Sequence, residues 1–409
     1  MTIQHSKNNI MKTSVMHIYM AFILLIASSC VDERFEVPIN SLQLVSSSNI
    51  IEVGLTETLE LEIHPENATN KDFNWSSSDP SIAEVDPNGI VKGISPGEAS
   101  ITVTSGDNNF TATTTVHIIR WTYYPMNDVP VRPVVIDLQD NVWCGGLQLT
   151  KFIGNAKYVY PSIINISAIA SNNSENIWLG TYNLGIWKFD GDSWTNYTSS
   201  NSNLAYNSIN YNSMALDHKG NLWMGTAGEA GIGSGVTMFD GSEWHVFNSD
   251  NGLPSNAVLD IAIDHEGIKW FTTRNGISRF DDVNWVSYAS AAGINFTDRF
   301  FSVAIDHENN KWFGSYGGPA KFDGNNWTFY NSSNSDLKWD SINDIAVDQD
   351  NNVWFATESG VSKFDGTNWI NYTSVKEMQD KVYNVRAIAI DSRGDKWLGT
   401  SFGVIKLED

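Results

Sequence analysis

Asp217-His-Lys-Gly-Asn-Leu-Trp-Met-Gly-Thr226 is the stretch that decides the fold: a polar, glycine-containing turn leads into a short apolar strand headed by tryptophan. Near-copies of the strand phrase start at Trp143, Trp178, Trp223, Trp270, Trp312, Trp354 and Trp397, with gaps of 35, 45, 47, 42, 42 and 43 residues. A period in the forties with several short strands per unit predicts a β-propeller. The fifth unit shows the four pieces most clearly: Ser302-Val-Ala-Ile-Asp306, Lys311-Trp-Phe-Gly-Ser315, Pro319-Ala-Lys-Phe-Asp323 and Trp327-Thr-Phe-Tyr330. The turn between the first two pieces, as in Asp391-Ser-Arg-Gly-Asp395, has hairpin chemistry. Phe-Asp-Gly separates the last two at Phe189, Phe239, Phe322 and Phe364, with Phe280-Asp281-Asp282 as a variant.

The fourth piece carries an aromatic pair: Trp194/Tyr197, Trp244/Phe247, Trp285/Tyr288, Trp327/Tyr330 and Trp369/Tyr372. In the first unit it decays to Lys157/Tyr160, and the seventh reaches Leu407-Glu408-Asp409 without it. The missing phrase stands upstream of the first unit as Trp121-Thr-Tyr-Tyr124. Pairing that strand with the last blade closes the ring and leaves fewer open edges. The expected fold is all-β, an Ig-like β-sandwich over 41–119 followed by a seven-bladed β-propeller over 120–409. The seventh blade is assembled from residues 387–407 and 121–124.

Residues 1–29 read as a leader. Lys7 and Lys12 supply positive charge, residues 15–26 an apolar core too short for a comfortable membrane span, and Ala27, Ser28 and Ser29 lead to Cys30. The junction resembles a bacterial lipobox, which implies lipidation of Cys30, a linker over 30–40 and anchoring in the outer membrane without a span. Ordinary cleavage with a free Cys30 is the alternative. The acidic Val31-Asp32-Glu33 resembles a surface-export signal, or is a solvated linker. The formal charge is −22, and removal of Lys7 and Lys12 with the leader takes it to −24. That disfavours nucleic acid and anionic membrane surfaces as partners. The only other cysteine, Cys144, sits in a strand phrase and reads as a buried, inert thiol.

Within 41–119, Thr58-Leu-Glu-Leu-Glu-Ile63 and Ala99-Ser-Ile-Thr-Val-Thr104 alternate apolar and polar residues between turn clusters such as Pro87-Asn-Gly89. This is the pattern of half-buried antiparallel strands in a sandwich. Gly54, Leu59, Pro65, Trp75, Ser76, Ser77, Ala83, Val85, Gly89, Val91, Gly93, Gly97 and Thr102 carry a resemblance to the group 2 bacterial Ig-like domain, which implies a spacer or adhesive module. Trp75 is expected in its core, and the domain is expected to act as a stalk.

Residues 134–407 resemble the two-component regulator propeller family through Asp217–Thr226 and Lys396-Trp-Leu-Gly-Thr400. The family's propellers often form the extracytoplasmic half of sensor kinases that respond to polysaccharide breakdown products. No kinase or response-regulator segment follows here, so a binding or scaffolding role is what carries over.

The repeated tryptophans and the Trp-x-x-Tyr pairs are expected to pack the ring. His218, His265 and His307 follow Asp217, Asp264 and Asp306 in equivalent turns, so they fan around the ring and read as turn residues with no shared metal. No cofactor is expected. Ligand-binding candidates lie where loops converge near the axis. They are Tyr182 with Asn183, Tyr206, Tyr211, the insertion Ala227–Gly235, Arg274, Arg299 with Phe300, Tyr316, Lys338, Trp339, Asp340, Tyr383, Arg386 and Phe402. Aromatics beside Asn, Asp and Arg suit a site that stacks and hydrogen-bonds a sugar; ordinary loop residues are the alternative. Trp339 stands out as an aromatic that breaks the repeat. Trp270-Phe-Thr-Thr273 is similar to streptogramin lyase-like propellers, but no catalytic set can be placed, and a carboxylate pair such as Asp260 and Asp344 is generic. The expectation is a non-enzymatic envelope lipoprotein that binds a glycan or a surface or periplasmic protein. A structural or adhesive protein and a propeller lyase or hydrolase are the alternatives.

Overall fold

The computed structural model describes residues 36–45, 49–107, 109–126, 129–171, 176–227, 233–288, 299–373 and 384–409. The leader, Cys30, the acidic run, Tyr383 and most of the 227–235 insertion lie outside them. Seven four-stranded antiparallel sheets follow the repeat, six of them consecutive in the chain from Val134–Ile136 to Trp369–Tyr372. The seventh combines Ala387–Ile390, Lys396–Gly399 and Gly403–Glu408 with an upstream strand, Thr111–Pro125. The first strands of successive blades pack against one another in an unbroken cycle, and Ala387–Ile390 meets Val134–Ile136 to complete it.

Each blade is built around its tryptophan. In six blades a buried aspartate six residues earlier accepts the indole N–H: Asp137, Asp217, Asp264, Asp306, Asp348 and Asp391, at 2.8–3.2 Å. Its other oxygen takes the backbone N–H groups two and four residues on, so one carboxylate closes the turn and orients the ring. Asn221, Asn310 and Asn352 add their side-chain amides to the same carboxylates. The glycine two residues after most of the tryptophans allows close blade contact; a Cβ on Gly180 would sit 2.7 Å from Ile209 of the next blade. The fourth-strand Tyr or Phe lies against the tryptophan, with centroids 5.2–5.9 Å apart in the first six blades. Tyr124 does the same for Trp397 at 5.6 Å. The strand borrowed from before the ring thus supplies the missing aromatic as well as the missing hydrogen bonds, in the register Gly403↔Pro125 to Glu408↔Arg120.

The Phe-Asp-Gly turn has its own logic. Asp190, Asp240, Asp323 and Asp365 each accept two backbone N–H groups of the turn, and the following glycine takes a left-handed conformation. In the variant, Asp282 adopts φ 74° instead. It pairs with Lys219 of the preceding blade and with buried Lys269.

Residues 41–119 pack Ile51, Leu59, Ala83, Val91, Ala99, Ile101, Val116 and Ile118 between small sheets. Trp75 is half-buried against this core and lies flat over Gly89, where a Cβ would come within 2.7 Å of the ring. Thr111–Pro125 is continuous between the two domains: Thr111 to Ile118 pairs with Gly97–Ser105, and Arg120 to Pro125 with the last blade. Ile50 and Ile119 share a cluster with Trp354, Tyr372 and Leu407, so the sandwich is joined by a shared strand and a shared core.

Candidate functional site

The antiparallel order of each blade puts the first-to-second and third-to-fourth turns on one face, here called lower. The second-to-third turns and the connections between blades lie on the upper face. His218, His265 and His307 are on the lower face, where the backbone N–H groups of His265 and His307 donate to Asn309 and Asn351 of the next blade. Among the described residues no group of three or more His, Cys, Asp or Glu is placed to hold a metal ion.

On the upper face two positions per blade converge on the axis. The first is eleven residues before the tryptophan: Arg132, Ser167, Asn212, Leu259, Phe301, Asn343 and Arg386. In the second to sixth blades the pairing with the second strand slips at this point, as between Val258 and Asp260. Such a bulge re-aims a side chain without ending the strand. The second position is four residues after the tryptophan, at the tip of the second-to-third turn: Leu147, Tyr182, Ala227, Arg274, Tyr316, Glu358 and Ser401. Residues from both positions line one open basin. Its central cavity of ≈ 300 Å³ is bounded by Arg132, Tyr211, Arg274, Phe301, Tyr316, Asn343 and Arg386, among others. Adjoining cavities of ≈ 420 and ≈ 560 Å³ share Arg132 and Arg386 and add Tyr182 on one side and Glu358 on the other.

Arg132 stacks over the ring of Tyr211 at 4.8 Å. Arg386 donates from Nε to Ser401 Oγ at 3.2 Å. Burial and the neighbouring Arg132 lower the Arg386 guanidinium below its usual range, and Tyr211 opposes them. Phe301 meets Tyr316 edge to face at 4.4 Å. Asn343 Nδ2 donates to Asn384 Oδ1 and to the Val385 carbonyl, which ties the sixth blade's bulge to the seventh.

One step deeper, ten residues before the tryptophan, stand Asp260 and Asp344. Each carboxylate accepts its neighbour's N–H and one from a first strand further round, Val303 for Asp260 and Ile388 for Asp344. Burial pushes both up, Asp260 further through the charge of Asp344 and Asp344 to about 7. These carboxylates fasten neighbouring blades together.

Of the candidates named from sequence, Tyr182, Tyr211, Arg274, Tyr316 and Arg386 line the basin. Arg132, Asn210, Asn343 and Asn384 line it too and were not anticipated. Counting back eleven residues from each tryptophan finds Arg132 and Asn343, while Asn210 and Asn384 fall two positions earlier. Trp339 and Asp340 are not among the residues that bound these cavities. The connections 198–208, 248–257 and 331–341 share one design. Asn201, Asn251 and Asn334 accept the N–H three residues earlier, Leu204, Leu253 and Leu337 are buried, and Asn207, Asn256 and Asp340 accept from Ser199, Ser249 and Ser332. Trp339 therefore occupies the position of Tyr206 and Ser255. It packs beside Gly360 and follows the period, and like Tyr206 it is not among the residues that bound the cavities. Arg299 is exposed outside the lining. Phe300 is core at 3% exposure. Lys338 covers the Trp339 ring. Asn183 follows Tyr182 in its turn with φ 69°, and Phe402 offers its carbonyl to Tyr123. Cys144 is buried, and burial pushes its thiol up, away from reactivity.

Residues 38–116 match the bacterial Ig-like domain (group 2), and residues 203–228 and 336–359 match the two component regulator propeller. An uncharacterized protein of Clostridium acetobutylicum is 46% identical over 71 residues, which is 17% of this chain and 18% of that protein. The extracellular domain of a hybrid two component system from B. thetaiotaomicron aligns with a TM-score of 0.60 at 16% identity, over 89% of this chain and 60% of that one. Virginiamycin B lyase from Staphylococcus aureus aligns with a TM-score of 0.58 at 12% identity, over 71% of this chain and 99% of that one. At these identities the structural matches establish the fold. The chain carries a group 2 bacterial Ig-like domain followed by a propeller with two component regulator repeats.

Proposed function

We propose that this is a non-enzymatic binding module of the cell envelope, whose ligand, a glycan in the first instance, docks in the upper-face basin. The observation that carries the reading is that residues from the two non-repeating positions line adjoining cavities of one basin, where Tyr182 and Tyr316 from the second position and Tyr211 beside the first are exposed at 51%, 58% and 49%. Exposed rings beside guanidinium and amide groups suit a sugar's apolar faces and hydroxyls. The leader and Cys30 support a lipid anchor, with the Ig-like domain as a stiff stalk because it shares a strand with the propeller. The extracellular relative from B. thetaiotaomicron agrees with an outward position. Catalysis is disfavoured by the lining itself, which among the described residues has Glu358 as its one carboxylate and neither histidine nor cysteine. In the virginiamycin B lyase, replacing one histidine abolishes catalysis.

The test is a glycan array probed with the full chain, with Tyr211→Ala/Tyr316→Ala and with Trp339→Ala. The reading predicts signal from wild type and Trp339→Ala and none from the double variant. Wild-type silence, or signal indifferent to the tyrosines, would overturn it. A second reading, adhesion to a protein, is favoured by one feature. The outer strand of the first blade, Ala156–Ile164, is nine residues long where the next five blades have three or four. It exposes Tyr158 and Val159 at 50% and 45%, and an exposed apolar edge invites strand pairing.

A further inference from the structure

We infer that the basin's ligand is anionic: a saccharide carrying carboxylate or sulfate groups, held by Arg132 and Arg386 with Arg274 across the cavity. The inference rests on the basin being the binding site. The chain has 47 acidic residues against 25 basic ones. Lys219, Lys269, Lys311, Lys321, Lys396, Lys406, Arg120 and Arg393 pair with carboxylates. Other cations, such as Lys151, Lys188 and Arg279, have no such partner among the described residues but are scattered over the ring. Arg132, Arg274 and Arg386 have no carboxylate within salt-bridge distance among the described residues, although all three face one cavity. Glu358 lies on the same wall beside Arg132 and Arg386 and forms no ion pair with either.

Arg132 and Arg386 occupy the same position, eleven residues before the tryptophan, in adjacent blades, so the ring geometry itself brings them together. Two guanidinium groups side by side repel. Their positions are also fixed in advance, Arg132 by its stacking on Tyr211 and Arg386 by Ser401. A pre-positioned planar fork matches a carboxylate or sulfate through paired hydrogen bonds. Tyr182, Tyr211 and Tyr316 around the arginines supply stacking surface for sugar rings, which favours an acidic saccharide over a bare inorganic anion. The remaining charge of the chain repels anions at long range, and that repulsion fades beyond about 8–10 Å at physiological salt. The recognition is therefore of a charge placed directly in the basin.

The test is calorimetric titration of the full chain with xylohexaose, tetragalacturonate and a heparin-derived tetrasaccharide. At least one acidic probe should bind about tenfold or more tightly than the neutral one, and the two acidic arms tell carboxylate from sulfate. Arg132→Gln/Arg386→Gln should weaken the acidic probe by about 100-fold, as expected for losing paired charge-assisted hydrogen bonds. Arg132→Lys/Arg386→Lys should fall between, because charge stays and the fork is lost. Glu358→Gln should tighten binding. The melting temperature of each variant checks folding, and the lysine pair keeps the test open if the glutamine pair melts early. Preference for the neutral probe, or acidic binding unmoved by the arginine variants but lost with Tyr211→Ala/Tyr316→Ala, overturns the anion assignment and leaves the basin standing. Binding unmoved by both sets, or no binding by any probe, overturns the basin as well.

Discussion

On the lower face, six of seven blades place an aspartate under a tryptophan, each with the same hydrogen bond. On the upper face, the position five residues before that aspartate reads Arg, Asn, Leu, Phe, Asn and Arg in the same six blades. The two positions stand at opposite ends of each blade's first strand and recur with the same period. The aspartate answers a demand that every blade makes, to close a turn and satisfy a buried indole. The residue at the earlier position lines the basin above the axis, half-buried or exposed, and no single contact recurs there from blade to blade. Uniformity thus marks what holds the ring, and divergence marks what is free to recognise a ligand.

The contrast is sharpest between Trp312 and Tyr316. Trp312→Ala should cost about 3–5 kcal/mol, the range for truncating a buried large aromatic, and chemical denaturation measures it. Tyr316→Ala, four residues on at 58% exposure, should stay within about 0.5 kcal/mol of wild type while losing ligand. A large stability loss at Tyr316 would break the comparison. Next in size is Asp217→Ala, which leaves the Trp223 indole N–H and the Asn221 amide without their acceptor. A loss of about 2–3 kcal/mol is expected from buried donors left unmade, with no change in ligand binding.

The aspartates of the two levels should also answer pH with opposite sign. Burial pushes Asp217, Asp264 and Asp391 up, but hydrogen bonds from Trp223, Trp270 and Arg393 respectively, with others, hold all three below the ordinary value of 3.8. Their contribution is present above that value and is lost as pH falls through their lower folded values. Asp344, pushed up to about 7 by burial, holds its proton more tightly folded than unfolded. Its contribution is full below 3.8 and is lost as pH rises towards about 7. Asp344→Asn should therefore gain stability relative to wild type between pH 5 and pH 8, measured as the shift in denaturation midpoint. A difference that stays constant with pH would contradict this. The smallest effect belongs to Trp339→Ala, about 1 kcal/mol from lost partial packing with ligand affinity unchanged.

The repeat was legible because packing writes it. Trp, its aspartate and the Trp-x-x-Tyr partner recur wherever the same contact recurs, and the phrase Trp121-Thr-Tyr-Tyr124 assigns its strand to the last blade by sequence alone. Tyr182, Tyr211, Arg274, Tyr316 and Arg386 were legible by the opposite sign, as residues that differ between units. Arg132 escaped because it precedes the first strand, between Pro130 and Pro133, with no earlier unit to align against. Trp339 misled because its loop is specified by side-chain acceptors for backbone N–H groups, a role Asp340 fills as well as Asn207 or Asn256. The position between those fixed points is free to be Tyr, Ser or Trp, so a change of residue there looked like a break in the pattern.

The central claim is that recognition occurs on the divergent upper face. Hydroxyl-radical footprinting of the full chain, with and without the tightest-binding acidic probe, tests it most directly. Protection should fall on Tyr182, Tyr211 and Tyr316, with Tyr158, Trp339, His218, His265 and His307 unchanged. Protection of the lower-face histidines or of the Tyr158 edge, with the three tyrosines unaltered, would contradict the account.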